Sequence, residues 1–397
     1  MGACSACVVF DESLTSYDFG PTHPMNPVRV DLTMQLATRL GVVADAASGG
    51  LVMVPAPHGT DEDLLTVHTP ELVEAVRRTS LDPSDVVLSM GLGTEDNPTF
   101  PGMHEAARHV VGASVEAARL VWTGQVQHAA NIAGGLHHAM PDRASGFCVY
   151  NDVAVAIRWL LAQGAKRVAY VDVDVHHGDG VEQVFWDDPR VLTISLHETG
   201  QMLFPGTGFA HDLGGPEAQG SAVNVALPPG TADAGWLRAF HAVVPPLVKE
   251  FAPEVLVTQH GCDSHMSDPL AHLMTSVDGQ RAADLALHDL AHEVSGGRWV
   301  AFGGGGYAVV DVVPRSWTHL LGAVAGTPLD PATETPEDWR AYVRERLGQE
   351  APTLMSDGRT PDFRDWSEGF NPDTWLDRSI HATRRAAFPL NGLDPMP

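Results

Sequence analysis

One stretch decides the fold of this 397-residue chain: Tyr170-Val171-Asp172-Val173-Asp174-Val175-His176-His177-Gly178-Asp179-Gly180. The apolar run at 168–171 has the length and composition of a buried strand. Because side chains alternate between the two faces of a strand, we expect Asp172, Asp174 and His176 on one face. Buried charges need partners, and Asp oxygen with His nitrogen suits zinc better than magnesium or calcium. The stretch predicts a metal-binding strand end, and the alternative is a strand end with solvated acids and a capped turn.

A third ligand candidate is Asp263, in Gln259-His260-Gly261-Cys262-Asp263-Ser264-His265. It follows a second apolar strand, as Asp174 and His176 follow the first. Three protein ligands leave the fourth zinc position open for water or substrate, which is typical of a catalytic site. On its own, Asp263 could equally be a helix N-cap.

Two further patterns belong to the same hypothesis. His137-His138 follows Gly134-Gly135, and each histidine needs an acid to fix its tautomer, for which Asp172 and Asp179 are the candidates. Tyr307 follows four glycines that allow a sharp turn and the presentation of the phenol into a cleft. The simpler interpretations are an incidental histidine pair and a packed tyrosine.

Strand and helix patterns alternate over 125–325, which predicts an α/β protein with three α/β/α layers and a mostly parallel central sheet. In such sheets, function gathers just beyond the carboxyl ends of the strands, where the polar clusters fall. We predict one domain over 1–325. Residues 326–397, with a helix at 336–347 and the tryptophans Trp366 and Trp375, are expected to form an accessory extension packed on that domain.

The amino-acid composition disfavours some classes of binding partner. Hydrophobic residues make up 44% of the chain and the formal net charge is -26, which describes a globular protein and disfavours nucleic acid as a partner. Neither a membrane-spanning run nor a signal peptide is recognisable, so we expect a cytoplasmic protein without a membrane partner. Cys4 and Cys7 form a C-x-x-C that has no further zinc ligands nearby, and it is interpreted as a redox pair or an incidental surface pair.

Taken together, the motifs resemble the zinc-dependent histone deacetylase superfamily, in order from about Gly20 to Trp317. The matching segments are Gly-Pro-Thr-His-Pro-Met-Asn-Pro (20–27), Glu-Asp-Asn-Pro (95–98), Gly-Gly-Leu-His-His-Ala (134–139), Ala-Ser-Gly-Phe-Cys-Val-Tyr-Asn-Asp (144–152), the opening stretch, Phe-Pro-Gly-Thr-Gly (204–208), Gly-Cys-Asp-Ser-His (261–265) and Gly-Gly-Gly-Gly-Tyr (303–307).

The resemblance implies a role for each residue at the site. Asp174, His176 and Asp263 would hold zinc, and ferrous iron would fit the same ligands. His137 and His138 would be acid–base residues backed by Asp172 and Asp179, and Tyr307 would bind the acetyl oxygen. The residues implied in substrate binding are Asp96, Gly146, Phe147, Phe204, Leu270 and Arg29, the last near an acetate exit pocket. Those implied in binding a structural potassium ion are Asp172, Asp174, His176, Ser195 and Leu196.

Within the superfamily, the run 263–273 looks most like the bacterial acetoin-utilisation (AcuC-type) deacetylases. It departs from the Phe-Asn-Leu-Thr pattern of eukaryotic class I enzymes, so acetylated metabolic enzymes such as acetyl-CoA synthetase are expected as substrates in place of histones. The expected activity is therefore zinc-dependent removal of acetyl groups from lysine Nε in proteins.

Three alternatives remain open at this stage. An acetylpolyamine deacetylase would share the fold and the zinc site, and an acidic protein would suit a polycation. A manganese ureohydrolase of the arginase type would share the architecture, but Gly-Asp-Gly after the His pair disfavours it. A non-catalytic acetyl-lysine-binding relative need not retain Tyr307, His138 and all three ligands. The sequence leaves the acyl-chain preference and the oligomeric state open.

Overall fold

A computed structural model describes residues 5–44 and 50–396. Its centre is one sheet of eight strands, all parallel to their neighbours, in the order β2-β1-β3-β8-β7-β4-β5-β6. The strands are β1 (Ala6–Val9), β2 (Val52–Val54), β3 (His128–Asn131), β4 (Val168–Asp172), β5 (Val191–Glu198), β6 (Ala222–Leu227), β7 (Val255–Gln259) and β8 (Trp299–Phe302).

Eleven α-helices occur in the same described ranges and complete the three-layer α/β/α arrangement. They are α1 (Val28–Arg39), α2 (Asp61–Leu64), α3 (Pro70–Leu81), α4 (Met103–Trp122), α5 (Asp152–Ala162), α6 (Asp179–Val184), α7 (Asp233–Phe251), α8 (Val277–Ser295), α9 (Val313–Val324), α10 (Glu337–Leu347) and α11 (Trp375–Ala387). The predicted fold class is confirmed. The described helices include none that is both long and apolar enough to cross a membrane.

The central strands are buried along their whole length, and this includes the polar residues of β5. All eight residues of β5 are buried, as are all five of β4 and of β7. Helices cover both faces of a parallel sheet, so these strands have no solvated side. Strands β4 and β7 are apolar up to their last one or two residues, whereas β5 alternates apolar residues with the buried polar residues Thr193, Ser195 and His197.

Side-chain caps fix where the helices behind the site begin. The Asn151 side chain accepts a hydrogen bond from the N–H of Ala154 at the start of α5, and that of Ser276 accepts from Gly279 at the start of α8. Each cap satisfies an N–H that the first helical turn leaves without a partner. The loops from β3 and β7 therefore meet these helices at fixed positions.

The segment after 325 packs on two separate parts of the sheet domain. Trp339 of α10 is fully buried against α1, where its indole N–H donates to the Leu32 carbonyl at 3.0 Å. Near α11, the Arg238 guanidinium on α7 forms two hydrogen bonds of 2.8 Å to the Asp377 carboxylate. Both contacts are buried, so the segment lies against the domain along α1 and α7.

The expectation of a surface C-x-x-C pair was wrong for Cys7. Its side chain lies within β1 and is 1% exposed, and burial raises the pKa of its thiol to about 12. A protonated, buried thiol is unreactive, because thiol redox chemistry proceeds through the thiolate. Cys4 lies outside the described residues.

Candidate active site

The candidate site lies at the carboxyl edge of the sheet, where β4, β7 and β8 end side by side. The strand register pairs Asp172 with Gln259, and Gln259 with Phe302, so the turns after all three strands begin at one level. These turns carry Asp174, His176 and Asp263, and the turn after β8 leads to Tyr307. Sequence positions far apart thus converge because the strands run in one direction.

Strand alternation does not bring Asp174 and His176 together, contrary to the sequence-based expectation. Strand β4 ends at Asp172, and a turn follows. The Asp172 carboxylate accepts from the N–H of Asp174 at 3.2 Å, and the Asp174 carboxylate accepts from the N–H of His176 at 2.9 Å. An aspartate that binds the N–H two residues on favours a turn over an extended strand. The two side chains therefore reach the site from a turn.

Three side chains converge as a candidate metal-binding group, formed by Asp174, His176 and Asp263. Their potential ligand atoms all lie within 4.8 Å of one another, and all three residues are buried. His176 Nδ1 lies 3.1 Å from Asp174 Oδ1 and 3.1 Å from Asp263 Oδ2. These three atoms face a common point, as ligands of one ion would.

The remaining carboxylate oxygens of this group are held by N–H donors. Asp174 Oδ2 accepts from Gln259 Nε2 and from the Gly305 N–H, each at 2.8 Å. Asp263 Oδ1 accepts from the Val175 N–H at 2.9 Å. Such outer contacts orient the ligands of protein metal sites and leave one oxygen of each carboxylate for the ion.

The electrostatics of the group favour a cation. Burial and the charge of Asp174 raise the pKa of the Asp263 carboxyl to about 7. Two carboxylates in one buried site cannot both ionise cheaply without a positive charge between them. The donor set of two carboxylate oxygens and one imidazole nitrogen fits a divalent ion such as Zn²⁺.

His137 and His138 form a pair beside this group. Their Nε2 atoms are 3.0 Å apart, and each Nδ1 lies 2.7 Å from a carboxylate, Asp172 for His137 and Asp179 for His138. If both Nδ1–H groups donate to carboxylates, the bond between the Nε2 atoms requires one further proton. The pair thus shares three protons among four nitrogens.

The environment places that extra proton on His137. Burial opposes its charge, but the carboxylates of Asp172 and Asp174 outweigh burial and raise its pKa to about 9. Burial and the charge of His137 lower the pKa of His138 to about 4. At neutral pH His138 is the uncharged member, which is the form that can accept a proton.

Tyr307 is presented by a glycine turn that no larger residue could form. A Cβ on Gly305 would lie 1.9 Å from an Asp263 oxygen, so this backbone can approach the metal group only as glycine. The N–H of Tyr307 donates to the Asp268 carboxylate at 2.8 Å, and its ring packs edge-on against Phe147 at 5.7 Å. Burial, with the nearby carboxylates, raises the pKa of the phenol well above its usual value, so it stays a donor.

Of the residues predicted to bind substrate, Gly146 and Phe204 lie against His138, and Asp96 and Leu270 lie on loops. Asp96 is exposed on a loop, and Phe204 is 43% exposed with its ring 5.0 Å from that of His138. A Cβ on Gly146 would lie 2.6 Å from the His138 ring and 2.9 Å from the Phe204 ring, so the backbone at Gly146 is packed closely against both side chains. Leu270 is half-buried in the loop after Asp263.

Arg29 differs from the solvated position usual for an arginine in the first turn of a helix. It is 2% exposed, and its Nη1 donates to the carbonyls of Gly304 and Gly306 at 2.8 and 3.1 Å. Its guanidinium carbon also lies 5.1 Å from the Trp317 ring centroid. Arg29 therefore stabilises the glycine turn that precedes Tyr307 through hydrogen bonds to its carbonyls.

Ser195 and Leu196, the residues predicted to complete a potassium site, lie on β5 beside the end of β4. The register pairs Ser195 directly with Asp172, and both β5 residues are buried. The Ser195 hydroxyl bonds to His197 Nδ1 at 2.8 Å. Ser195 and Leu196 of β5 therefore lie next to Asp172, the last residue of the neighbouring strand β4.

Three positioning residues escaped the sequence analysis. Gln259 holds Asp174, Asp268 holds the backbone of Tyr307, and Tyr170 donates to the Asp172 carboxylate at 2.6 Å. The only sequence signal for Gln259 is that it ends the apolar strand before Asp263, and its place beside Asp172 needed the strand register. Asp268 lies in an irregular loop whose path the sequence pattern does not fix.

The sequence model of the histone deacetylase domain matches residues 23–324. This chain therefore belongs to the histone deacetylase family.

Two similar proteins match this chain over most of their own length. The chain is 40% identical to acetoin utilization protein AcuC of Bacillus subtilis (strain 168) over 351 residues, 88% of this chain and 89% of that protein. It is 35% identical to acetoin utilization protein AcuC of Staphylococcus aureus (strain MSSA476) over 354 residues, 88% of this chain and 90% of that one. The predicted likeness to AcuC-type proteins is confirmed, and these relatives support a deacetylase-type hydrolase.

Proposed function

We propose that this protein is a zinc-dependent deacetylase that removes acetyl groups from the Nε of acetyl-lysine in proteins. The observation that carries the proposal is the convergence of the Asp174, His176 and Asp263 ligand atoms beside the His137–His138 pair. Acid–base groups next to a metal site with three protein ligands are what hydrolysis of an unactivated amide requires. The family membership of the chain supports the same chemistry.

The metal site is assigned to Asp174, His176 and Asp263, because their potential ligand atoms lie within 4.8 Å of one another and N–H donors orient both carboxylates. A bound Zn²⁺, or Fe²⁺ on the same ligands, would polarise the acetyl carbonyl and lower the pKa of water. We assign a structural potassium site to Asp172, Asp174, His176, Ser195 and Leu196, since Ser195 adjoins Asp172 in the sheet.

His138 acts as general base in this proposal. Its pKa of about 4 keeps it neutral at pH 7, so it can take a proton from the attacking water. Asp179, 2.7 Å from Nδ1, stabilises the imidazolium that forms. The proton then passes to the departing lysine amine, with His137 held by Asp172 as its charged neighbour.

Tyr307 donates a hydrogen bond from its phenol, which stays protonated, to the oxygen of the scissile amide as negative charge builds there. A preorganised donor of this kind is typically worth about 3–4 kcal/mol of transition-state stabilisation. Phe147 and Phe204 would flank the aliphatic lysine stem, with Gly146 receiving the amide N–H and Leu270 close by. Asp96 would hold the substrate backbone at the rim, and Arg29 would adjoin the path by which acetate leaves.

The substrate class is proposed from the relatives. Proteins named for acetoin utilisation suggest acetylated metabolic enzymes, such as acetyl-CoA synthetase, and a cytoplasmic location. We also propose that 1–325 is the catalytic domain and 326–397 an accessory extension.

The test compares kcat/KM for an acetyl-lysine peptide and for acetylspermidine with the same enzyme preparation. The proposal expects the peptide to be hydrolysed faster, with loss of turnover in a chelator. Faster turnover of acetylspermidine would assign the enzyme to polyamines, which the acidic net charge of -26 would suit. Binding of both without turnover, with metal confirmed, would identify a non-catalytic binding protein.

A further inference from the structure

A cluster of three histidines lies at the opposite edge of the sheet from the active site. His128 is the first residue of β3, and His288 and His292 are one turn apart on α8. Their potential ligand nitrogens all lie within 4.8 Å of one another, and their ring centroids are 4.7–5.0 Å apart. None of the chemistry proposed above uses them.

Two nitrogens of this cluster are buried without a hydrogen-bond partner among the described residues. His128 Nδ1 donates to the Val324 carbonyl at 2.8 Å, so its lone pair is on Nε2, which is buried and unpartnered. His288 Nε2 is likewise buried and unpartnered, while its Nδ1 lies 3.3 Å from the Asp289 carboxylate. Buried polar atoms are nearly always bonded, because leaving one unpaired costs free energy. Two such nitrogens in one cluster therefore point to a ligand.

The outer contacts of His128 and His288 are those of metal-ligating histidines. A carbonyl holds Nδ1 of His128 and a carboxylate adjoins Nδ1 of His288, which fixes the tautomer and leaves Nε2 facing the cluster. Histidines four apart on a helix share a face, as in helical zinc sites. Neutral imidazole is the form that binds metal.

We propose that His128, His288 and His292 form a second, structural site for a divalent transition metal, with zinc as its occupant. Three imidazoles select zinc and its neighbours over magnesium or calcium, which prefer oxygen ligands. Tetrahedral zinc with Zn–N bonds of ~2.0–2.1 Å sets nitrogens about 3.4 Å apart, so small ring rotations close the observed spacing. The ion would tie the last turns of α8 to the start of β3, and a water would take the fourth position.

The experiment counts metal in the full-length protein. The protein is stripped with a chelator, dialysed against excess Zn²⁺ and then against buffer, and zinc per chain is measured by plasma mass spectrometry. We expect two equivalents in wild type and one in the His288→Gln/His292→Gln variant, which retains its hydrolytic rate. Asp263→Asn should also keep one equivalent, and Zn²⁺ should raise its melting temperature by about 3 °C or more.

His241→Gln is the matched control, because this half-buried histidine on α7 stacks on Phe363 at 4.5 Å and is outside the cluster. It should keep both equivalents. One equivalent in wild type, or two in the His288→Gln/His292→Gln variant, would overturn the proposal and leave the cluster as aromatic packing. A wild-type protein that binds two zinc ions but has no hydrolytic activity would count against the proposed function and not against this site.

Discussion

At the scale of single residues, the account depends most on the hydroxyl of Tyr307. Tyr307→Phe removes the donor but keeps the ring that packs on Phe147. We expect kcat to fall about 100- to 1000-fold, because one preorganised oxyanion donor is lost. Steady-state kinetics on an acetyl-lysine peptide measures this, and metal content and melting temperature should not change. A kcat within about threefold of wild type would exclude the proposed role.

A second residue-scale prediction concerns Asp268, which positions Tyr307 without touching substrate. Its two oxygens accept from the backbone N–H groups of Tyr307 and Leu270 at 2.8 and 3.0 Å. An asparagine has only one acceptor oxygen, so Asp268→Asn loses one of these bonds. We expect kcat to fall about tenfold with KM within about twofold, since one misplaced donor costs roughly 1–2 kcal/mol.

Asp278 provides the control for this substitution. Its carboxylate also accepts from backbone N–H groups, those of Asp357 and Arg359 at 3.1 and 2.9 Å, but away from the site. Both N–H groups reach the same oxygen, Oδ2, so Asp278→Asn can keep both bonds while it loses the charge, and it should leave kcat unchanged. If both variants lose kcat equally, the effect of Asp268→Asn is a general loss of stability.

The sequence predicted which polar side chains converge better than it predicted the residues that orient them. Asp174, His176 and Asp263 follow apolar strands, so their convergence follows from a parallel sheet. The role of Gln259 needed the strand register, and that of Asp268 needed the path of an irregular loop. Distances between non-local residues are set by the packed fold, which the local pattern does not contain.

At the scale of elements, Asp357 joins the extension to the loop before α8 and to α9. Its carboxylate lies 2.9 Å from His265 Nε2 and accepts from the Val277 N–H and from Arg315 Nη2, each at 2.8 Å. Burial raises the pKa of Asp357, but these donors outweigh burial and hold it well below its usual value. The contact thus stabilises the fold only while the carboxyl is ionised.

This contact makes a pH-dependent prediction for stability. Because the folded pKa is below the unfolded value, the stabilisation is present above about pH 4 and is lost as pH falls through the folded pKa. Asp357→Asn should lower the free energy of unfolding at pH 7 by about 2 kcal/mol, as expected for bonds to a charged group. Urea titrations at pH 7, 5 and 3 should show the difference from wild type shrinking below pH 4. An equal difference at all three pH values would contradict the role of ionisation.

Element boundaries were predictable where the apolar period is strong. The predicted helix at 336–347 matches α10 to within one residue, and the apolar run at 168–171 matches β4 to within one residue. The prediction was wrong where side chain-to-backbone bonds compete with the strand, as after Asp172. The spacing of apolar residues alone does not show where a side chain-to-backbone hydrogen bond will end a strand.

At the scale of the whole molecule, the segment after residue 325 contributes buried surface to the core that it forms with α1. Trp339→Ala removes a fully buried indole and its bond to the Leu32 carbonyl. We expect a loss of about 3–5 kcal/mol in the free energy of unfolding, as for large aromatic truncations in cores. Trp375→Ala is the control, because that indole is 44% exposed and should cost less than about 1 kcal/mol. Equal midpoints in urea for both variants would show that the extension adds no stability at α1.

The sequence predicted the layers of the molecule but not where the extension docks. Alternating strands and helices are a local signal, and they imply a parallel sheet with covered faces. The docking of α10 on α1 depends on which helix surfaces remain apolar and exposed once the helices have packed on the sheet. That is a property of the assembled fold.

The central claim is that Asp174, His176 and Asp263 hold the ion required for amide hydrolysis. The most direct measurement is acetate release from an acetyl-lysine peptide by chelator-treated protein as Zn²⁺ is returned, for wild type and Asp263→Asn. The account predicts that wild type regains activity in proportion to zinc at this site, while Asp263→Asn remains inactive at every zinc concentration. Activity in the metal-free wild type, or full recovery in Asp263→Asn, would contradict it.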